Sequence, residues 1–134
     1  MKKILFINPS LRLHSETKFL PVGVACVMTY LKNIGIDFDF LDIDIGEMED
    51  DAVESFLENN RYDIILSGSI VTHYKWMKWL TWRVRNYNPN AKIIIGNSVA
   101  GSIPELFLKN SAADMAIMGE GEISTAELVL SIIR

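Results

Sequence analysis

The sequence predicts an α/β fold built on a five-stranded parallel sheet with helices on both faces. Five short apolar segments each precede a segment of helical periodicity, and this strict alternation is typical of parallel strands joined by helical crossovers. The second of the strand segments alternates apolar and polar residues, as an edge strand does. With that strand at an edge, we expect a flavodoxin-like (Rossmann-like) three-layer sandwich with strand order 2-1-3-4-5.

A long connection separates the first strand from the first helix. Residues Ile4–Asn8 are apolar on both faces, as in a buried parallel strand. Residues 9–21 then exceed the median connection of about 4–6 residues. A helix is predicted over residues 23–34 and ends before Gly35. Its apolar stripe comprises Val24, Val27, Met28, Leu31 and Ile34.

The remaining elements continue the alternation. Strands are predicted over residues 37–43, 63–67, 92–96 and 114–118, and helices over residues 52–58, 73–87, 103–109 and 122–133. Acidic residues before the second helix suit the positive end of its dipole, and Pro89 follows the end of the third helix.

The third helix is rich in tryptophan. One stripe is predicted to face the core and comprises Trp76, Trp79, Leu80, Val84 and Tyr87. Trp82 lies more than about 100° from that stripe. A tryptophan there either docks another domain or subunit or is covered by local side chains.

Composition and charge limit the classes of protein to which the chain can belong. The 134 residues, 49% apolar and 22% charged, predict a single globular domain spanning residues 1–134. The net charge of −4 without a basic stripe argues against a nucleic-acid partner. No apolar run approaches the roughly 20 residues of a membrane span, and the apolar stretch near the start breaks at Asn8. We therefore expect a cytoplasmic protein. The single cysteine, Cys26, excludes an internal disulfide and is expected in the core.

Small polar residues follow the predicted ends of three strands. They are Ser67-Gly68-Ser69, Gly96-Asn97-Ser98 and Gly119-Glu120-Gly121-Glu122. Glycine allows close approach of a ligand to the backbone, while hydroxyls and free amides offer hydrogen bonds. Because the carboxyl ends of parallel strands share one edge, the pattern predicts a rim beneath a large flat ligand. Taken singly, each loop is also a good strand-to-helix turn.

The other candidate residues give weaker evidence of a functional site. Glu120 and Glu122 are two residues apart at a helix start, so we expect capping and ligand contact, or dipole stabilisation, rather than a shared proton. His14 and His73 lack a partner at metal-ligand spacing. A dinucleotide-binding Gly-x-Gly-x-x-Gly, a phosphate-binding Gly-Lys-Ser/Thr and the acidic residues of a receiver domain are all missing from their places.

The chain resembles the cobalamin-binding domain found at the N-terminus of cobalamin-dependent radical S-adenosylmethionine proteins, over almost its whole length. The most specific residues are Gly119-Glu120-Gly121-Glu122 and the helix start Pro21-Val22-Gly23. Supporting segments are Ile7-Asn8-Pro9, Tyr30-Leu31-Lys32, Asp63-Ile64-Ile65-Leu66-Ser67-Gly68-Ser69 and Asn88-Pro89-Asn90-Ala91-Lys92-Ile93-Ile94-Ile95-Gly96.

The resemblance implies that the chain binds cobalamin without catalysing a reaction alone. The third, fourth and fifth strand ends would hold the cofactor's nucleotide tail, and the first loop would lie under the corrin. The implied cofactor-binding residues are Pro21, Val22, Gly23, Ser67, Gly68, Ser69, Gly96, Asn97, Ser98, Gly119, Glu120, Gly121 and Glu122. No catalytic residue and no metal ligand is implied.

Three departures from related patterns shape the functional hypothesis. The Asp-x-His-x-x-Gly motif that ligates cobalt in other cobalamin enzymes is missing, which implies cobalamin without a histidine ligand from this chain. Asn97 replaces the family's usual second glycine. The Cys-x-x-x-Cys-x-x-Cys motif is also missing, so an iron–sulfur cluster and S-adenosylmethionine would belong to a further domain.

The resulting hypothesis is a module that positions a corrinoid for methyl transfer or radical chemistry. A radical S-adenosylmethionine domain, in cis or in trans, would be the partner, and the chain would be the N-terminal part of a longer protein. One alternative is a flavodoxin-like interaction domain that has lost cofactor binding. Another is a small enzyme using His14 or His73 with Glu120.

Overall fold

The described part of the chain alternates strands and helices from end to end. A computed structural model describes residues 2–18, 22–68, 73–96, 104–117 and 122–133. The strands are β1 (Ile4–Asn8), β2 (Asp39–Asp42), β3 (Ile64–Gly68), β4 (Lys92–Gly96) and β5 (Met115–Ala116). The helices are α1 (Val22–Asn33), α2 (Asp50–Asn59), α3 (Tyr74–Tyr87), α4 (Pro104–Asn110) and α5 (Glu122–Ile133). None of the helices in these ranges has the length and apolarity to cross a membrane.

The strands form one parallel sheet in the order β2-β1-β3-β4-β5, which confirms the predicted topology. Ile4 pairs with Ile64, and Ile64 pairs with Lys92, so the three central strands start almost level. Their carboxyl ends therefore meet at one edge, where Gly68 pairs with Gly96. β2 lies at the outer edge of the sheet, as its alternating pattern predicted.

Alternate residues of the central strands enter two separate cores. Leu5, Ile7, Ile65, Ile93 and Ile95 pack against α2, α3 and α4 in the first core. Ile4, Phe6, Ile64, Leu66 and Ile94 pack against α1 and α5 in the second. Because both faces of the sheet are buried, the strands are apolar without alternation, and the three-layer prediction is confirmed.

The core-facing stripe of α3 differs from the predicted one. Leu80 and Val84 are buried as expected, but Met77 and Thr81 complete the stripe. The residues predicted beside them, Trp76, Trp79 and Tyr87, are only partly buried at the margin of the first core. The helix is turned so that positions 77, 80, 81 and 84 face the sheet, with the large rings filling the gaps beside it. Trp82 lies off the core-facing stripe, as predicted, and is 52% exposed.

Two predictions about the first helix were wrong. Cys26 is exposed rather than buried, because Val27 and Leu31 face the sheet and its neighbour Cys26 points away from them. Ile34 is 43% exposed because the chain leaves the helix before that residue. Gly35 follows the end of the helix, as predicted, and its φ of +82° allows the amides of Gly35 and Ile36 to donate to the carbonyl oxygens of Lys32 and Leu31.

Candidate functional site

Ser67 and two glycines occupy the carboxyl end of the central strands. The Ser67 hydroxyl donates a hydrogen bond to the carbonyl oxygen of Ile7 at 2.9 Å, which ties the end of β3 to the end of β1. Its oxygen keeps acceptor capacity for a second partner. Ser67 is partly exposed, and the next residue, Gly68, is buried. The hydroxyl is thus held at the point where a ligand would cross β1 and β3.

Gly96 leaves open space at the carboxyl end of β4. A Cβ atom placed on Gly96 would meet no heavy atom of the described residues within 4 Å, and Gly96 does not have a left-handed φ. Backbone strain therefore does not require glycine at this position. The free volume at the end of β4 is consistent with the slot predicted from the sequence.

A polar cluster joins the ends of β1 and β2. The Oδ1 atom of Asp42 accepts hydrogen bonds from the Asn8 side-chain amide and from the backbone amides of Asp44 and Ile45, each at 3.1 Å. The Ser10 hydroxyl donates to Oδ1 of Asp44 at 2.7 Å. Asn8 and Asp44 are buried at 2% and 4% exposure. The sequence prediction missed this cluster, and its only signal was two aspartates two residues apart after an edge strand.

The first loop is held against the segment that follows β2. Lys18 Nζ lies 3.0 Å from Oε1 of Glu47 and also donates to the Leu13 carbonyl oxygen. His14 Nε2 lies 2.9 Å from Oε1 of Glu49, and both side chains are more than 60% exposed. We name residues 8–18 and 42–49 together the β1–β2 corner. Its side-chain contacts hold residues 9–18 against the segment after β2.

His73 lies just before α3 and stacks on Trp76. The ring centroids are 5.0 Å apart at an angle of 7°, and Trp76 Nε1 donates to Oδ1 of Asp50 at 2.8 Å. Burial lowers the pKa of His73 below its ordinary value, and the negative charge of Asp50 opposes part of that change. His14 and His73 therefore have separate surroundings, and among the described residues no group of three or more His, Cys, Asp or Glu is arranged to hold a metal ion.

The lowered pKa predicts how His73 affects stability with pH. The folded state binds fewer protons at His73 than the unfolded state, whose histidine pKa is about 6.5. The stability contributed by neutral His73 is thus present above about pH 6.5 and is lost as pH falls below it. In an NMR titration, we expect the His73 ring to titrate below its ordinary pKa, and Asp50→Asn to lower that midpoint further. A His73 midpoint at or above the ordinary value would contradict this prediction.

A separate groove of about 230 Å³ lies at the opposite end of the sheet. It is lined by residues at the starts of β1 and β2, together with Tyr62, whose hydroxyl donates to Asp39 at 2.7 Å. The groove is therefore at the amino ends of the strands. In sheets of this type, ligands bind at the carboxyl ends instead.

Several predicted site residues lie outside the described part of the chain. These are Pro21, Ser69, Asn97, Ser98, Gly119, Glu120 and Gly121. Val22 and Gly23 lie at the start of α1, and Glu122 is the first residue of α5. The residues that the structure does bring together at the rim are Ser67, Gly68 and Gly96.

Comparison with known proteins gives a family match and several structural likenesses. A model of the family described as B12 binding domain matches residues 10–129. An uncharacterised protein of Methanocaldococcus jannaschii is 35% identical over 69 residues, which cover 52% of this chain and 13% of that protein.

Structures of two larger proteins are similar to this chain. The radical S-adenosylmethionine methyltransferase TsrM from Kitasatospora setae, with tryptophan substrate and a SAM analogue bound, has a TM-score of 0.82 at 14% identity over 99% of this chain and 26% of that one. TsrM with cobalamin and a [4Fe-4S] cluster bound has a TM-score of 0.80 at 14% identity, over 98% of this chain and 24% of that one. The cobalamin-dependent S-adenosylmethionine radical enzyme OxsB, with aqua-cobalamin and S-adenosylmethionine bound, has a TM-score of 0.75 at 16% identity. The match covers 99% of this chain and 19% of that one. This chain thus spans about a quarter or less of each protein, and the likenesses show its fold.

Proposed function

The chain belongs to the B12-binding domain family, and from that premise we propose that it is a cobalamin-binding module. It would position a corrinoid for methyl transfer or radical chemistry carried out with a radical S-adenosylmethionine domain. The observation that carries the proposal is the pairing of Gly68 with Gly96 at the carboxyl edge of the sheet, where a Cβ on Gly96 would meet no heavy atom of the described residues within 4 Å. TsrM and OxsB, two structural relatives with cobalamin bound, are radical S-adenosylmethionine proteins.

The described residues fit a nucleotide tail entering between the strand ends. Gly68 and Gly96 pair side by side and add no side chain to the passage. Ser67 donates its proton to Ile7, so it would meet the ligand as a hydrogen-bond acceptor, for example toward a ribose hydroxyl. These groups would orient the ligand and exclude water from its buried part.

The corrin would lie above this slot, on the side of the first loop. Cobalamin supplies the bond-making chemistry when bound, while the protein supplies binding and orientation. We propose that the chain contributes no histidine ligand to cobalt, since His14 is not in the family's ligating motif and contacts Glu49. The iron–sulfur cluster and S-adenosylmethionine would be held by the partner domain, in cis or in trans.

Reconstitution with two corrinoids tests the proposal. We expect the purified chain, mixed with hydroxocobalamin and desalted, to retain about one corrinoid per chain with a base-off visible spectrum. Dicyanocobinamide, which lacks the nucleotide tail, serves as the matched control and should bind much more weakly, because it leaves the slot at Gly96 empty. Retention of neither corrinoid would contradict the proposal and favour the interaction domain without a cofactor. Equal affinity for both would refute the tail slot.

A further inference from the structure

Two exposed aliphatic side chains follow the two residues that form the partly buried Ser10–Asp44 hydrogen bond of the β1–β2 corner. Ser10 donates to Asp44, and the residues that follow them, Leu11 and Ile45, are 48% and 67% exposed. Ile45 is the most exposed large hydrophobic residue in the part of the chain that the structure describes. Both side chains thus lie at the carboxyl edge of the sheet, beside β1 and β2.

The backbone that carries these side chains is held in place. The Ile45 amide donates to Asp42, and the Ser10 hydroxyl to the buried carboxylate of Asp44. Nearby, Leu13 and Met48 pack inward on the first core. Two apolar residues of the corner, Leu13 and Met48, therefore pack on the core, while Leu11 and Ile45 are exposed to solvent. A fixed apolar surface binds with less loss of conformational entropy than a mobile one.

The position of the corner matches the reach of a corrin. Neighbouring strands are about 4.8 Å apart, so the ends of β2 and β3 are separated by about 10 Å with β1 between them. A macrocycle placed above Ser67, at the junction of β1 and β3, extends over this distance and reaches the loop after β2.

We propose that Leu11 and Ile45 form an apolar shelf that contacts the methyl-bearing edge of the corrin macrocycle; this inference rests on the proposed function. Two side chains fall far short of the roughly 1,000 Å² of a stable protein–protein interface, whereas they suit the edge of a small macrocycle. Among the charged groups of the corner, Lys18 pairs with Glu47 and His14 with Glu49.

The test compares corrinoid affinities of matched surface variants. We expect the double variant Leu11→Ser/Ile45→Ser to raise the Kd for hydroxocobalamin about tenfold, equivalent to about 1.4 kcal/mol. Because the shelf contacts the macrocycle, the Kd for dicyanocobinamide should rise by the same factor. Leu106→Ser, at a side chain 51% exposed on α4, is the control and should leave both values unchanged. Circular dichroism checks that each variant folds.

The outcomes separate this inference from the proposed function. If the unmodified chain binds no corrinoid, the proposed function fails, and the shelf inference fails with it. If the unmodified chain binds and the double variant has the same Kd, the shelf inference alone is overturned. A rise for hydroxocobalamin without one for dicyanocobinamide would also overturn it, since the contact would then be to the tail.

Discussion

The substitution Gly96→Val is expected to remove most corrinoid binding while leaving the fold intact. A Cβ on Gly96 meets no heavy atom within 4 Å among the described residues, and β-branched side chains are favourable in strands. The added methyl groups would instead enter the space that we assign to the nucleotide tail. Overpacking a fitted site costs about 1–3 kcal/mol, which predicts a Kd about 5- to 150-fold higher.

Two comparisons make this prediction specific. Gly96→Ala should raise the Kd for hydroxocobalamin less than Gly96→Val, because it fills less of the slot. Affinity for dicyanocobinamide should hardly change in either variant, since this corrinoid has no tail. Unfolding in urea should give nearly the same midpoint for both variants and the unmodified chain. An unchanged Kd for hydroxocobalamin in Gly96→Val would show that the tail does not pass this residue.

Gly35 provides the opposite control. Its φ of +82° is in the left-handed region, so Gly35→Ala should destabilise the fold by about 1 kcal/mol. The residue lies after α1, and it closes that helix through the amides of Gly35 and Ile36. We expect a lower urea midpoint with an unchanged Kd for the folded fraction. Gly35 is thus required by the backbone conformation, whereas Gly96 would be required only by the space that the ligand needs.

The sheet was predictable because its signals are local. Each strand and helix has its own periodicity in the sequence, and the alternating second strand identified the edge. The rotation of a helix about its axis is less local, because it depends on which elements pack beside it. Met77 rather than Trp76 therefore faces the first core, although the helical periodicity was correct. The error at Cys26 is different, because Val27 and Leu31 of the predicted stripe are buried and Cys26 lies off that stripe.

The site was predictable only in part, for a similar reason. Ser67 and Gly96 come at the ends of apolar segments, so their position at the carboxyl edge of the sheet could be predicted from the sequence. The β1–β2 corner depends instead on contacts between residues far apart in sequence. Asn8 and Asp42 are 34 positions apart, as are Ser10 and Asp44. Such pairs carry no spacing signal, and only the parallel pairing of β1 with β2 brings them together.

Removal of the Asp42 carboxylate should have the largest effect on the corner. Its Oδ1 atom accepts from the Asn8 side chain and from the amides of Asp44 and Ile45, so Asp42→Ala withdraws one acceptor from three donors at once. Hydrogen bonds to a charged group contribute about 1.5–3 kcal/mol, and the three share one oxygen, so we expect a loss of about 2–4 kcal/mol in unfolding free energy. Urea denaturation measures this loss.

The matched variant Asp42→Asn keeps an acceptor oxygen at the same position and should lose about 1 kcal/mol. Under native conditions, the folded Asp42→Ala chain should also bind hydroxocobalamin more weakly than Asp42→Asn, because Ile45 loses the bond that fixes its backbone. Equal urea midpoints for the two variants would show that the carboxylate does not hold the corner. Equal corrinoid affinities despite unequal stability would show that the corner's rigidity is irrelevant to binding. The comparison therefore tests whether the polar cluster supports the fold alone or also the apolar surface it presents.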